Sequence, residues 1–331
     1  MKKLLIAILT VVILASCSNE ETLIVAQPDV IGFGDVFVKN TTRAALDSSF
    51  GPANPMESFN VWGKVTGNVG NTLLIYKGAL VERNGAEDGS AFKCEQTEYW
   101  IPSATYDFMA IYGATDVEQE GDDLPTAIIY NVDGTTDLLL SERPVSVTTN
   151  NMAEPTGLTN QCVAFTFEHL LSKVKFVVNV APMASSYSYR VKNISIKSVA
   201  DGGVYTIDAE TPWDPNETTR DLSFGNIVET SSASGADPVA LYSGSQGKES
   251  NWSRLLVPGE VKNIYFLVDL WKGDSFLSQE EYNIELEDEK IINLQAGCAY
   301  NFTINLAAPG TPIDFSATEV DNWEDKPITV Q

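Results

Sequence analysis

The sequence predicts an all-β protein built as antiparallel β-sandwiches in two tandem domains. Three observations carry this. Apolar residues alternate with a period of two almost everywhere, the alternating segments are rich in β-branched and aromatic residues, and Gly, Asn, Asp and Pro punctuate them. A chain of 331 residues is long enough for two such domains. In order, strands are predicted within Val30–Val38 and at Ser58–Val65, Thr72–Val81, Tyr99–Ile101, Tyr106–Tyr112 and Ala127–Val132. The second half continues with Val163–Phe167, Lys173–Val180, Tyr189–Ser198, Gly203–Ile207 and Arg254–Val257. It closes with Asn263–Leu270, Tyr282–Leu286, Lys290–Leu294 and Tyr300–Leu306. No long segment spaces its apolar residues as a helix does. Val117–Pro125 and Asn216–Gly247 are polar, rich in turn formers, and read as surface loops. The thinnest join is Thr148–Asn160, which has no apolar alternation and contains a proline and a glycine. The domains are therefore drawn at 44–158 and 159–331. The pattern leaves open whether Val163–Phe167 closes the first sandwich or opens the second.

The first residues bear on the compartment. Lys2 and Lys3 precede an apolar run, Leu4–Ala15, of about a dozen residues, too short to span a bilayer. The run ends in Leu14, Ala15, Ser16 and Cys17, so residues 1–17 read as a bacterial lipoprotein signal with Cys17 as the acylated residue. Two or more acyl chains anchor stably, because each buried CH₂ contributes about 0.8 kcal/mol. SNEE follows Cys17, and such early acidic residues fit export to the cell surface. The expected location is thus the outer membrane, facing outward.

The formal charge of −24 becomes −26 without Lys2 and Lys3. The acidic residues are scattered, so they read as a solvated surface. Nucleic acid needs clustered Lys and Arg and is excluded as a partner. Cys94, Cys162 and Cys298 remain after Cys17 and read as buried thiols, although one disulfide plus a thiol fits the odd count too.

Signals for catalysis are poor. His169 is the sole histidine, which excludes two-histidine metal sites, and its place in FTFEHLLSKVKF suits a structural role or one at the domain joint. Gly244–Ser250 (GSQGKES) has two residues between its first glycine and the GK pair where a phosphate loop needs four. Asn131–Asp137 (NVDGTTD) alternates oxygen ligands as calcium loops do but lacks the downstream bidentate glutamate. A hairpin turn on Asp133–Gly134 explains it better. Among so many carboxylates, a glycosidase-like pair has little specificity. Neither enzymatic activity nor a cofactor is expected.

Several pieces add up in order: the Cys17 lipobox, TRA at Thr42–Ala44, VAFTFEHLLSKVKFVV, LLVPG, GCAYNFTINL and IDFSATEVDNWED. Together they resemble the fimbrillin family, the FimA-like and Mfa-like type V pilins. The resemblance implies two transthyretin-like, Greek-key β-sandwich domains, exported as a lipoprotein and built into a surface fimbria that supports adhesion. It implies that an arginine-specific protease cuts behind the first strand, releasing lipid and strand. A C-terminal strand from a neighbouring subunit then fills the vacated groove. Carried onto this chain, the scissile residue is Arg43, the mature protein begins at Ala44, and 18–43 is a propeptide holding the excised strand. The partners implied are other fimbrial subunits, the protease and, through Cys17, outer-membrane lipid.

The residues bear on that carry-over directly. Val30–Val38 (VIGFGDVFV) places Ile31, Phe33 and Phe37 on one face, with Asp35 interrupting. Each large apolar side chain, fully buried, contributes roughly 1.5–3 kcal/mol, so removing the strand leaves a strong site for another. The exposed edge is a hazard until filled. Ala44–Pro55, with its serines, prolines and glycine, suits an accessible cleavage loop. The tail 311–331 offers donor candidates Ile313, Phe315, Val320, Trp323, Ile328 and Val330, although the same residues fit completion of the second sandwich. The alternative function is a tethered, non-polymerising lipoprotein that binds glycan or host protein through aromatics such as Trp213, Trp252, Trp271 and Tyr242, each of which also suits core packing.

Overall fold

The computed structural model describes residues 29–38, 56–67, 69–83, 92–142, 144–158, 162–184, 186–228, 237–286, 291–309 and 314–320. Among them the chain is all-β, without a helix. The first part supplies β1 (Gly32–Val38), β2 (Ser58–Thr66), β3 (Thr72–Arg83), β4 (Phe92–Cys94) and β5 (Thr105–Tyr112). It continues with β6 (Asp116–Glu118), β7 (Ala127–Asn131), β8 (Leu139–Ser141), β9 (Val145–Thr148) and β10 (Cys162–His169). Then come β11 (Ser172–Val180), β12 (Tyr187–Ala200), β13 (Gly202–Thr206), β14 (Trp213–Pro215), β15 (Thr219–Gly225), β16 (Leu241–Tyr242) and β17 (Lys248–Glu249). The last are β18 (Arg254–Leu256), β19 (Gly259–Val261), β20 (Asn263–Lys272), β21 (Ser275–Glu285), β22 (Ile292–Leu294), β23 (Ala299–Leu306) and β24 (Asp314–Val320).

The first unit is one sheet in the order β2-β3-β4-β1-β10-β8-β5-β9, and β2 also pairs with β5. That extra pairing rolls the sheet closed around a core rich in aromatics: Phe33, Phe59, Tyr76, Phe92, Trp100, Tyr106, Phe108, Phe165 and Phe167. The alternation of β2 and β5 drives this, since every second side chain must leave water and the two faces can bury them only against each other.

Val163–Phe167 belongs here. As part of β10 it pairs in parallel with β1 and antiparallel with β8. Its inward residues Val163, Phe165 and Phe167 lie in the first core. The passage between units therefore falls at Leu170–Leu171, and the polar stretch Thr148–Asn160 holds the connection from β9 to β10. Local punctuation marks a loop; only the pairing with β1, about as far away in sequence as the first unit allows, says which sheet the next strand joins.

The second unit has two facing sheets. One runs β17-β11-β23-β24 with β18 beside β11, and the other β15-β12-β20-β21 with β16 beside β12. β11 and β23 are parallel over eight consecutive pairs, from Lys173↔Ala299 to Val180↔Leu306. Phe176, Phe224, Phe266, Phe302 and surrounding aliphatics fill the space between the sheets.

A third apolar cluster joins the units. It combines Trp62, Met109, Ile111, Tyr130 and Leu138 with Leu170, Leu171, Leu255 and Val257. A small sheet, β14-β13-β7-β6, crosses the same joint, with Gly202–Thr206 paired to Ala127–Asn131. His169 sits in this joint, buried, with Nδ1 donating to Asp137 Oδ2 at 2.7 Å. The turn at Asp133–Gly134 is held by the Asp133 carboxylate, which accepts from Thr135 N and Thr136 N at 2.6 Å each. Burial opposes ionisation there, but hydrogen bonds from Thr136 and Thr135 hold the Asp133 carboxyl below its ordinary value. The turn does not make a hairpin. β7 leaves it for the joint sheet and β8 for the first sheet, so local turn chemistry was legible while the partners of the flanking strands were not.

Candidate functional site

The seat of β1 is the most completely built feature of the first unit. β1 lies between β10 and β4, and without it the rolled sheet opens along that line. On one side Gly32↔Cys162 and Phe33↔Val163 begin a parallel ladder that ends at Val38↔Phe167. On the other, Phe33 pairs with Phe92 and Val30 bridges Tyr99. Ile31 N donates to Glu98 O at 2.9 Å and Trp100 N to Asp29 O at 3.0 Å, which fastens the start of the strand on this second edge.

Side chains fill the socket below. Phe33 is 2 % exposed and Ile31 3 %. The Phe33 ring centroid lies 5.6 Å from Tyr76, 6.2 Å from Phe108 and 6.0 Å from Phe165, the first two edge-on and the last stacked. Burial, then nearby Cys94 and Glu98, pushes the Tyr76 phenol up, and burial raises the Cys94 thiol as well. The lining these groups provide is uncharged at neutral pH, as suits an apolar occupant.

Phe37 does not share the face of Ile31 and Phe33. It is 60 % exposed, while Val36 and Val38 pack against the core. The cause is a bulge: between Phe33↔Val163 and Val36↔Phe165, β1 uses one residue more than β10. One extra residue moves every later side chain to the other face. Strict alternation read from sequence could not show it, although the GFGD run is where such a bulge fits. Glycine is needed for proximity as well. A Cβ on Gly34 would lie 3.0 Å from Cys162 Cβ, and one on Gly32 3.1 Å from Cys162 Sγ.

With the inward positions known, the other end of the chain gains meaning. Ile31, Phe33, Val36 and Val38 recur at identical spacing as Ile313, Phe315, Thr318 and Val320. Three are identical, and the fourth keeps the β-branched shape. Where β1 exposes Phe37, the tail has Glu319; where β1 has Gly32 and Gly34, it has Asp314 and Ser316. Phe315 and Val320 lie on β24, which pairs antiparallel with β23 from Asp314↔Asn305 to Val320↔Ala299 and forms the end of its sheet. Residues 314–320 thus complete the second unit within their own chain. Ile313, Trp323, Ile328 and Val330 lie outside the described residues, as do Cys17, Arg43 and Ala44.

The aromatic candidates separate into two groups. Trp213 packs into the joint beside Tyr205, and its Nε1 donates to Leu170 O at 2.9 Å. Trp252 lies under the Arg254 guanidinium at 4.6 Å. Trp271 and Tyr242, by contrast, are brought together, since Ser188 on β12 pairs with Trp271 on one side and Tyr242 on the other. Cys94, Cys162 and Cys298 are thiols, half-buried rather than buried. Among the described residues, no group of three or more His, Cys, Asp or Glu side chains is placed to hold a metal ion.

Comparison with known proteins agrees in fold. A family model described as fimbrillin-like matches residues 42–323. The crystal structure of a fimbrial protein from Bacteroides vulgatus superposes with a TM-score of 0.56 at 15 % identity, covering 89 % of this chain and 99 % of that one. A Bacteroides ovatus protein provisionally assigned to cell adhesion gives a TM-score of 0.51 at 15 % identity, covering 91 % and 99 %. A search of curated protein sequences returns no match.

Proposed function

This chain belongs to the fimbrillin-like family, and we propose that it is a fimbrial subunit, exported as a lipoprotein through Cys17, that exchanges β1 for a neighbour's C-terminal strand. The observation that carries the reading is the repeat of the inward pattern of β1 in Ile313, Phe315, Thr318 and Val320. A strand with those residues presents the inward side chains that the β1 socket accepts, with Cys162 giving way by a few tenths of an ångström to the Cβ atoms of Asp314 and Ser316. Cleavage after Arg43 separates β1 from β2 and leaves a chain beginning at Ala44. The two units then correspond to the transthyretin-like domains of the family.

Two further features favour the exchange. The seats are unequal: among the described residues β24 has one hydrogen-bonded neighbour, whereas a strand in the β1 seat has two and buries an Ile and a Phe. Those two side chains alone contribute about 3–6 kcal/mol, an upper figure because unfolded chains already bury some surface. Polarity also agrees. β1 is parallel to β10 and so runs towards the joint, while β23 is parallel to β11 and runs away from it. A chain that continues outward past Leu306, instead of turning back as β24, leaves the second unit at its far end. It can enter a neighbour's β1 seat from the far end of the first unit, in the direction β1 itself runs. A tail donating only beyond Val320 starts from the joint side instead. The proposed donor is therefore 314–320.

The test is the form beginning at Ala44. It is expected to give a detergent-stable ladder on unheated gels, with Phe315→Asp abolishing the ladder and an excess of peptide 29–38 suppressing it. A persistent monomer, or a ladder indifferent to Phe315, overturns the exchange and leaves the family membership standing.

A further inference from the structure

The outer face of the β16-β12-β20-β21 sheet carries a row of side chains that strand exchange does not use. Tyr242, Ser188 and Trp271 are register partners across β16, β12 and β20, and Phe276 on β21 is the partner of Trp271. Directly opposed residues in an antiparallel pair share a face, and the buried pair Tyr189↔Leu241 fixes the other face as the core side. Tyr242 and Phe276 are 59 % and 52 % exposed, Trp271 is half-buried and Ser188 is buried. Neighbouring strands are about 4.8 Å apart, so the row spans roughly 14 Å. That length suits a short oligosaccharide and is small for a protein partner.

Arg190 lies two residues along β12 from Ser188, on the same face, with its guanidinium 4.2 Å from the Trp271 ring centroid. Its treatment is unusual among the described arginines. Arg83, Arg220 and Arg254 each donate to a backbone carbonyl: Met56 O at 3.1 Å, Val132 O at 2.6 Å and Ser223 O at 2.8 Å. Among the described residues Arg190 has no such acceptor, and its Nε is buried without a hydrogen bond, as is the Nε1 of Trp271 beside it. The register partner of Arg190 on β20 is Asp269, but that carboxylate is already engaged. It accepts from Lys192 Nζ at 2.6 Å and Gln279 Nε2 at 2.7 Å. Buried donors without acceptors are costly and call for an explanation.

We infer that this row is a binding site for a carboxylate-bearing oligosaccharide. The rings of Tyr242, Trp271 and Phe276 offer flat faces and edges for the C–H surfaces of sugar rings. The guanidinium of Arg190, held by Trp271 and left without a carboxylate by the Lys192–Asp269–Gln279 arrangement, takes the acid group, for which its planar fork is suited. On a chain of net charge −24, a cation that forms no ion pair among the described residues and lies on an aromatic face is charge complementarity confined to one place. The site lies on the second unit, away from β1, and does not depend on polymerisation.

The experiment is titration calorimetry, with saturation-transfer NMR, on the full chain. The probes are 3′-sialyllactose, digalacturonate and neutral lactose. At least one acidic probe is expected to bind about tenfold more tightly than lactose, the scale of one charge-assisted hydrogen bond. Arg190→Gln is expected to reduce that probe to the level of lactose, and Tyr242→Ala, at an exposed position that leaves the core untouched, to weaken all binding. Which acid probe responds separates a sialylated from a uronate-bearing ligand. The inference is overturned if no acidic probe binds, if lactose binds as well as the acids do, or if binding survives Tyr242→Ala unchanged.

Discussion

β1 and β24 share a residue spacing, Phe33, Val36 and Val38 against Phe315, Thr318 and Val320, and occupy unequal places. β1 is bonded along both edges and closes the rolled sheet of the first unit, with Phe33 among three other rings. Among the described residues β24 has one neighbour, β23, and ends a sheet. The residues of a strand fix what it can fill, and the number of edges around it fixes how firmly it stays. A strand at the end of a sheet can leave and take the core of its own unit with it only in small part; one that closes a sheet cannot.

The sharpest way to break that comparison is Phe33→Ala against Phe315→Ala. Removing Phe33 should cost about 3–5 kcal/mol of stability in urea unfolding followed by first-unit fluorescence, as large buried aromatics do. Phe315→Ala should leave that transition where it is. Equal losses at the two positions would mean that the seats do not differ. A smaller effect is expected from Gly34→Val, whose Cβ meets Cys162 Cβ at 3.0 Å. Overpacking there should cost about 1–3 kcal/mol, partly recovered when Cys162→Ala is added. Recovery would assign the loss to this approach, and its absence to the backbone. The smallest effect is Phe37→Ser. On the outer side of the bulge it should shift stability by less than about 0.5 kcal/mol, and a loss as large as that from Phe33→Ala would remove the bulge from the account.

Much of this fold was legible because half-buried strands must alternate. The long strands β2, β3, β5, β11, β20 and β23 were all marked by their period of two, and the first strand, β1, by its Phe residues and the Ile before it. What failed was non-local. β15 lies inside a stretch that reads as a loop, since Leu222 and Phe224 are its only buried apolar residues, set among Thr219, Arg220, Asp221 and Ser223. The start of β21, Ser275–Glu281, was missed for the opposite reason: both its faces are largely exposed, so no alternation is imposed on it. The sheet that receives β10 depends on β1, and the role of Phe37 on one inserted residue. The Ile-x-Phe repeat at the two ends of the chain was present in the sequence all along. It acquires meaning only when the β1 register says which positions point inward. Of the row on the second unit, Trp271 and Tyr242 stood out in the sequence as aromatic candidates, but that they lie together did not, because positions 188, 242 and 271 become neighbours through pairing alone.

The parallel pairing of β1 with β10 has a mechanical side. When two parallel strands are pulled from opposite ends, the load falls on all the hydrogen bonds between them at once; a hairpin pulled open yields them one after another. β10 passes through only Leu170 and Leu171, both buried, into β11, which is itself parallel to β23. If a neighbour's strand occupies the β1 seat, tension would travel from that strand to β10, through the joint to β11, and across to β23, from which the next strand departs. Both ladders along that route are parallel and loaded in shear, and the joint between them is continuous chain. A filament linked in this way would fail at a rate set by the barrier to forced unfolding rather than by the affinity of its subunits, so it would hold in flow long after an unzipping contact of equal strength had let go.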